Sequence, residues 1–566
     1  MVEKYADDQP SSTLKIALCT IALIICTLLT VAPLSRIPDP VIHLQTPAGA
    51  ALSWFGSWLP NDLSLTTNYL ASQVNTNYIE FLILIALAFA IYGLCALFVL
   101  GQPPTSRHTR TMRLIWLGTI ISGLIYVFTP AMLSHDILVY ASYSRIISVY
   151  HANPYFVPLS AFPHDPFNPL NYWSHAIAAY GPIWLAICAF WGLVSGSQPS
   201  GYILAFRVFA LAAHLLNIWL VTMTLRAMEQ SSRTVTLGTL LYAWNPLTLL
   251  ESSFGGHNDV FMVTFMLAGI LLAVRADREE QLTQLRGYLL PVIAFTLAAL
   301  VKFTILPLIV LFILLLACRV LRPATSDSLS IKDTFSRRWQ PALLTGISAG
   351  IISAIVAIVF YGPFWIGHSI NAIVSSFTSP PSALYAENSI LRAVLDWRQV
   401  NSLPANTLGN TLSSILANHN TWNDTSILAL AIVILAATIW MWHAPTLRNF
   451  VLSTVAALGA LLIVTPWFYS WYVTWLVGLI AVCFPFKVSR LARALLAFTL
   501  AFSVSAFLTY LFKDGYPPFG TWTGLVFLTT IAPPILAFLI AFFTWKPSSG
   551  FSRQVTGDRI KEKVRT

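Results

Sequence analysis

Apolar residues in this chain come in blocks, separated by short polar and basic segments. The blocks are 14–34, 79–100, 114–133, 201–225, 235–250, 258–274, 287–301, 304–318, 342–362, 427–446, 450–466, 471–486, 495–511 and 522–545. A helix needs roughly 17 to 25 apolar residues to cross a hydrocarbon core of about 30 Å. The blocks predict an all-α polytopic membrane protein with about fourteen spanning helices. The period-2 alternation of a membrane barrel is absent. One run, LLPVIAFTLAALVKFTILPLIVLFILLL (289–316), is too long for one ordinary helix, and Lys302 divides it into two short halves. An ammonium in hydrocarbon costs several kcal/mol unless it reaches water or an anion, so Lys302 is read as functional. A further apolar run, 176–196, is read as interfacial or re-entrant. In the rival topology it spans and 287–318 merges into one helix.

Composition agrees with this reading. Of 566 residues, 57% are apolar and only 10% charged, and mean hydropathy is +0.71, values foreign to a soluble domain. The distribution of positive charge sets the sides. With the N-terminus in the cytoplasm, 25 of the 32 Lys and Arg residues fall on the cytoplasmic side. They include Arg107, Arg110 and Arg113, the cluster Arg275, Arg278 and Arg286, Lys487, Arg490 and Arg493, and the tail after Lys546. Outside lie Arg36, Arg145, Arg392, Arg398 and Lys513. The net charge of +10 thus belongs to a face suited to anionic lipid, not to nucleic acid. The expected location is the cell membrane, multi-pass, with both termini cytoplasmic. The first apolar run is read as a retained helix rather than a signal peptide. All six cysteines sit in apolar stretches without CxxC or Cys/His spacing, which gives neither a disulfide framework nor a zinc site.

Under this topology the outer face carries three large loops, 35–78, 134–200 and 363–426, and the unusual polar residues gather there. So do eight of the eleven histidines, among them His43. Asp136, in LSHDILVYASYSR, is placed to act as general base on a sugar hydroxyl, or to cap the helix beginning at Ile137. Lys302 and Arg207 could hold a phosphate at the interface, or snorkel to headgroups. In GGHND, Asp259 is expected to cap the helix starting at Val260, and His257 with Asp259 is too little for a metal site. Trp467 and Tyr469 of PWFYSWY fit an interfacial aromatic belt and would also offer a stacking surface for a sugar ring. The segment 363–426, with Glu387, Asn388, Arg392, Asp396 and Arg398, is long enough to fold over a site, or is an ordinary solvated surface. No Walker A, GxSxG, HExxH or GxGxxG motif stands out, which argues against an ATP-driven pump.

The order SHDILVYASYSR, HANPY, YGPIW, NP…GGHND, ALVKFTILP and PWFYSWY resembles the integral-membrane glycosyltransferases of the GT-C fold. The nearest resemblance is to bacterial polyprenol-phosphate-mannose-dependent α-1,6-mannosyltransferases, over about residues 114–480. It is more distantly similar to lipid A aminoarabinose transferases and protein O-mannosyltransferases. The resemblance implies a donor hexose, mannose, on a polyprenyl phosphate, and a glycolipid or glycan acceptor. It also implies transfer with inversion on the extracytoplasmic face, and no cofactor or divalent metal. Asp136 would be the base, and Lys302, Arg207 and Arg145 would contact the donor phosphate. His135, His257, Asp259, Tyr180, Trp467, Tyr469 and Glu387 would contact substrate. Several branches carry a second acid beside the first, where this chain has His135.

The implied organisation is a tail and two added helices (1–113), a catalytic module (114–362) containing outer loop 134–200, an outer loop (363–426), C-terminal helices (427–545) and a basic tail (546–566). Two rivals remain: a surface-glycan polymerase or ligase, and a secondary transporter or flippase of lipid-linked sugars. The second would show paired broken helices in two halves, and no such symmetry is visible.

Overall fold

A computed structural model describes residues 10–36, 71–102, 108–129, 131–196, 199–322, 331–378, 385–400, 407–483, 489–512 and 527–544. Most of the predicted outer loop 35–78 with His43, the residues Lys4, Arg107, Lys487 and Lys513, and the basic tail 546–566 lie outside them. Every extended regular element among the described residues is a helix, and the one β-bridge there is an isolated pairing of Glu387 with Trp467. Nine of the described helices are long and apolar enough to cross a membrane. The chain is therefore a polytopic all-α membrane protein.

The blocks become helices where nothing interrupts them, and split where the backbone loses a donor or a charge intrudes. Lys302 does interrupt its run. It is extended (φ −151°, ψ 114°) between the helix Leu285–Val301 and a 3₁₀ turn, Phe303–Ile305, that leads into Leu306–Leu321. The run 235–250, expected as one helix, is two: Ser232–Ala243 and Pro246–Ser253. Pro246 lacks an N–H and occupies the first turn, while the Asn245 side-chain oxygen accepts from the Leu247 and Thr248 amides. An Asn–Pro pair thus ends one helix and caps the next. The run 495–511 likewise divides into Arg490–Ser505 and Leu508–Phe512. The segment 176–196 yields only Pro182–Val194, 13 residues. At 1.5 Å per residue that is about 20 Å, too short to span.

The buried centre is built from helices 199–227, 232–243, 259–278, 285–301, 447–464 and 474–483, which pack on one another. Hydroxyl pairs join neighbouring helices, as between Thr222 and Thr239 (2.9 Å) and between Thr296 and Ser353 (2.8 Å). Each such bond contributes only about 0.6 kcal/mol in a bilayer, so close packing carries most of the association. Two helices pack on this centre along one side only. The most apolar stretch of 337–365 is only 6% buried in the protein and that of 420–443 only 11%, against 67% for 259–278. Their leucines, isoleucines and valines face outward along their length.

Candidate active site

Gly181 fixes the first wall of the site. A Cβ there would come within 2.1 Å of the Leu300 carbonyl, and the Gly181 amide donates to the Val301 carbonyl at 3.0 Å. Only glycine permits this approach. It sets the Tyr180 ring beside Lys302, at the point where helix 285–301 ends. A second glycine, Gly256, has φ +61° and turns the chain between Ser253 and Asp259. That turn delivers His257 and Asn258 inward.

A cavity of about 350 Å³ opens between these elements, and Asp136, Lys302, Tyr180, Trp467 and Tyr469 all line it. Five residues singled out from sequence thus converge on one space. Trp471, Tyr472 and Trp475 line it as well, and Phe303, Leu461 and Leu462 make part of its wall apolar. The segment PWFYSWY is therefore the inner wall of a cavity. Trp471 and Trp475 are 3% and 1% exposed, while Trp467 and Tyr469, read as an interfacial belt, are half-buried. Tyr469 stacks on Trp471 at 4.5 Å, and Trp471 stacks in turn on His257 at 3.9 Å. The segment after 363 reaches the cavity through Phe377, and Asn423 lines it too. Glu387 meets the aromatic segment by backbone: its amide donates to the Pro466 carbonyl and its carbonyl accepts from Phe468 N–H.

Asp136 is the first residue of the helix Asp136–Ser148, with His135 at the N-cap position. The His135 side chain makes no cap hydrogen bond there. The Asp136 carboxylate faces the cavity, 23% exposed, and accepts from the Tyr140 (3.3 Å) and Tyr180 (3.4 Å) hydroxyls. Lys302 Nζ lies 2.9 Å from Asp259 Oδ1 and 3.8 Å from the centre of the Tyr472 ring. Asp259 also accepts from Trp475 Nε1 at 2.6 Å. The helix Asp259–Arg278 is preceded by Asn258 and has no side-chain cap. Asp259 holds a lysine, then, rather than capping Val260, because an unpaired buried ammonium costs far more than an uncapped turn. An ammonium has three hydrogens, and Asp259 takes one.

The two other cations assigned to the donor phosphate are employed elsewhere. Arg207 is fully buried and donates to the carbonyls of Thr129 (2.7 Å), Ala131 and Val127, with its guanidinium over Phe254. It satisfies the end of helix 109–127, a place where carbonyls otherwise lack donors. Arg145 pairs with Asp165 at 2.7 Å, and Tyr150 donates to the same oxygen. Neither arginine lines the cavity. His135 does not line it either.

His257 lies deeper, in the turn between two helices, 3.5 Å from Asp136 through Nδ1 and 3.3 Å from Glu251 through Nε2. Burial works against its charge, but the two carboxylates outweigh that and raise its pKa to about 9. Glu251, not singled out from sequence, is 2% exposed and accepts from Ser470 (2.8 Å) and Tyr510 (2.7 Å). A signal for it exists: a carboxylate inside the apolar stretch NPLTLLESSF. Among the described residues no group of three or more His, Cys, Asp or Glu side chains is arranged to hold a metal ion.

Comparison with known proteins agrees with this picture. No solved structure matches the chain. A stretch of 110 residues is 30% identical to alpha-(1->6)-mannopyranosyltransferase B of Corynebacterium glutamicum. That stretch is 19% of this chain and spans only 18% of the relative's length. Residues 47–319 match the family model described as alpha-(1->6)-mannopyranosyltransferase, N-terminal domain. The matched region contains Asp136, Glu251, His257, Asp259 and Lys302, and it bears out the resemblance read from the motifs: over this region the chain is similar to the α-(1→6)-mannopyranosyltransferases.

Proposed function

We propose that this protein is a membrane glycosyltransferase that moves mannose from a polyprenyl phosphate to a hydroxyl of a glycolipid or glycan, on the extracytoplasmic side. The observation carrying the proposal is that Asp136 and Lys302 open onto one cavity of mixed character. Polar groups and aromatic faces suit a sugar, and Phe303, Leu461 and Leu462 suit the start of a lipid chain.

In the proposed reaction the acceptor hydroxyl attacks the anomeric carbon from the face opposite the phosphate. The new C–O bond forms as the bond from carbon to phosphate oxygen breaks, so a β-linked donor gives an α-glycoside. Asp136 takes the hydroxyl proton. The departing polyprenyl phosphate gains negative charge, which the Lys302 ammonium meets in a site where water does not screen it. Tyr140 and Tyr180 aim the Asp136 carboxylate, and a base already in place removes part of the entropic barrier. The donor carries its own leaving group, so no cofactor enters this scheme.

The test is transfer of label from radiolabelled polyprenyl-phosphate-mannose into membrane glycolipid, comparing wild type with Asp136→Asn. The isosteric amide keeps shape and loses basicity, so transfer falls at least about 100-fold with protein still in the membrane. Transfer at the wild-type rate would remove Asp136 from the chemistry.

A further inference from the structure

Behind the cavity runs a line of charge whose two deeper members, His257 and Glu251, the proposed reaction does not use. Glu251 sits at the deep end, held by Ser470 and Tyr510; His257 is in the middle, flat on Trp471; Asp136 is at the mouth. Both nitrogens of the His257 ring face carboxylate oxygens. A neutral imidazole has one donor and one acceptor, so in that form one nitrogen would point a lone pair at an anion. Only the doubly protonated ring presents positive charge to both carboxylates. The three groups come from separate elements: the start of helix 136–148, the helix 246–253 and the turn at Gly256. Their alignment is a product of the tertiary fold.

We infer that His257 is a positioning residue that carries a positive charge at neutral pH: set against Glu251, it holds Asp136 as an aimed carboxylate anion at the cavity wall. This rests on the reading of Asp136 as the base. With a cation behind it, Asp136 stays ionised down to lower pH than a carboxylate set among tyrosines and tryptophans otherwise would, because burial alone favours its neutral form. Glu251 acts at one remove, by keeping the proton on His257. Trp471 covers one face of the ring, and a carboxylate lies within ion-pair distance of each nitrogen, 3.5 and 3.3 Å, without hydrogen-bond geometry. The other ionisable groups facing this line include Tyr140, Tyr143, Tyr180 and Tyr472 around Asp136, Tyr510 at Glu251, and the Asp259–Lys302 pair across the cavity wall.

Two readouts on purified protein test the inference. The first is the pH profile of kcat/KM for mannose transfer from polyprenyl-phosphate-mannose to a synthetic alkyl mannoside. Replacing His257→Gln removes a positive charge from beside Asp136, so the acidic limb moves up by about one pH unit or more and kcat drops about 10- to 100-fold. The second is the pH dependence of the apparent Tm in detergent. The folded-state pKa of His257, about 9, lies above its ordinary 6.5. Its contribution to stability is therefore complete below 6.5 and disappears as pH rises through 9. The wild type loses this increment between about pH 7 and 9.5, His257→Gln does not have it to lose, and Glu251→Gln loses it at lower pH. The Tm arm needs no substrate and decides the matter alone if the donor is not turned over or if His257→Gln fails to fold, Glu251→Gln then being the variant compared. An unmoved acidic limb, or a Tm profile the same as wild type in these variants, overturns the inference. If Asp136→Asn retains transfer, the base assignment itself has failed, which is a different result from an inactive Asp136→Asn with an unmoved His257→Gln profile.

Discussion

The three cations assigned to a donor phosphate are divided sharply by their surroundings. Arg207 and Arg145 have their charge met by backbone carbonyls and by Asp165, which makes each a fastening of its own segment. Of the three, Lys302 alone lines the cavity, and its partner Asp259 leaves two ammonium hydrogens for a ligand. Lys302→Met keeps much of the side-chain volume and removes the cation. The expected outcome is a rise in KM for the donor of about 10-fold or more, with acceptor KM within about twofold, because of the two substrates only the donor brings a phosphate to the charge. Equal changes in both constants would assign Lys302 to structure. Sequence conveys the depth of these residues along the bilayer normal. Which carboxylate stands beside which cation depends on lateral packing, and for that reason the Glu251–His257–Asp136 line is not legible from the chain alone.

At the level of elements, interruptions matter more than helices. Lys302 is legible as a break because a cation within a 28-residue apolar run must reach an anion or water, and a helix end is where it can. The Asn245–Pro246 break escapes a hydropathy reading, which does not register a lost N–H, although an Asn before a Pro signals it. The capping role expected of Asp259 fails because a buried partner of opposite charge outweighs a cap of about 1 kcal/mol. The contact of Gly181 with Leu300 shows how tightly one break is held. In Gly181→Ala the new methyl carbon would fall 2.1 Å from a carbonyl oxygen, with no flexible side chain to yield. The two segments must part, at a cost of about 1–3 kcal/mol. Lower apparent Tm, together with reduced kcat through displacement of Tyr180 and Lys302, is the expected pair of effects. Normal kcat in a destabilised variant would show that the seam is not what aligns the site.

Taken whole, the molecule keeps its polar site inside a helical bundle and presents hydrocarbon side chains outward, as a protein dissolved in lipid must. The all-helical fold and the membrane setting are legible in the sequence because block length and positive charge obey the bilayer. Sidedness is tested by labelling. All six native cysteines are buried, so single introduced cysteines report cleanly. Leu408→Cys, at a position 74% exposed in the helix Leu408–Leu416, is expected to react in intact cells with an impermeant maleimide. Glu279→Cys, exposed after helix 259–278, is expected to react only after lysis. The opposite pattern would invert the topology.

Helices 337–365 and 420–443 carry this arrangement to its limit, each packed on the protein along one side and leaving most of its surface outside it. Their leucines and isoleucines are finished by whatever acyl chains surround them, so the annulus of lipid or surfactant is a structural component of the protein. Thermal midpoints and turnover numbers therefore belong to a particle of protein and amphiphile together, and comparisons between variants hold only within a single choice of amphiphile.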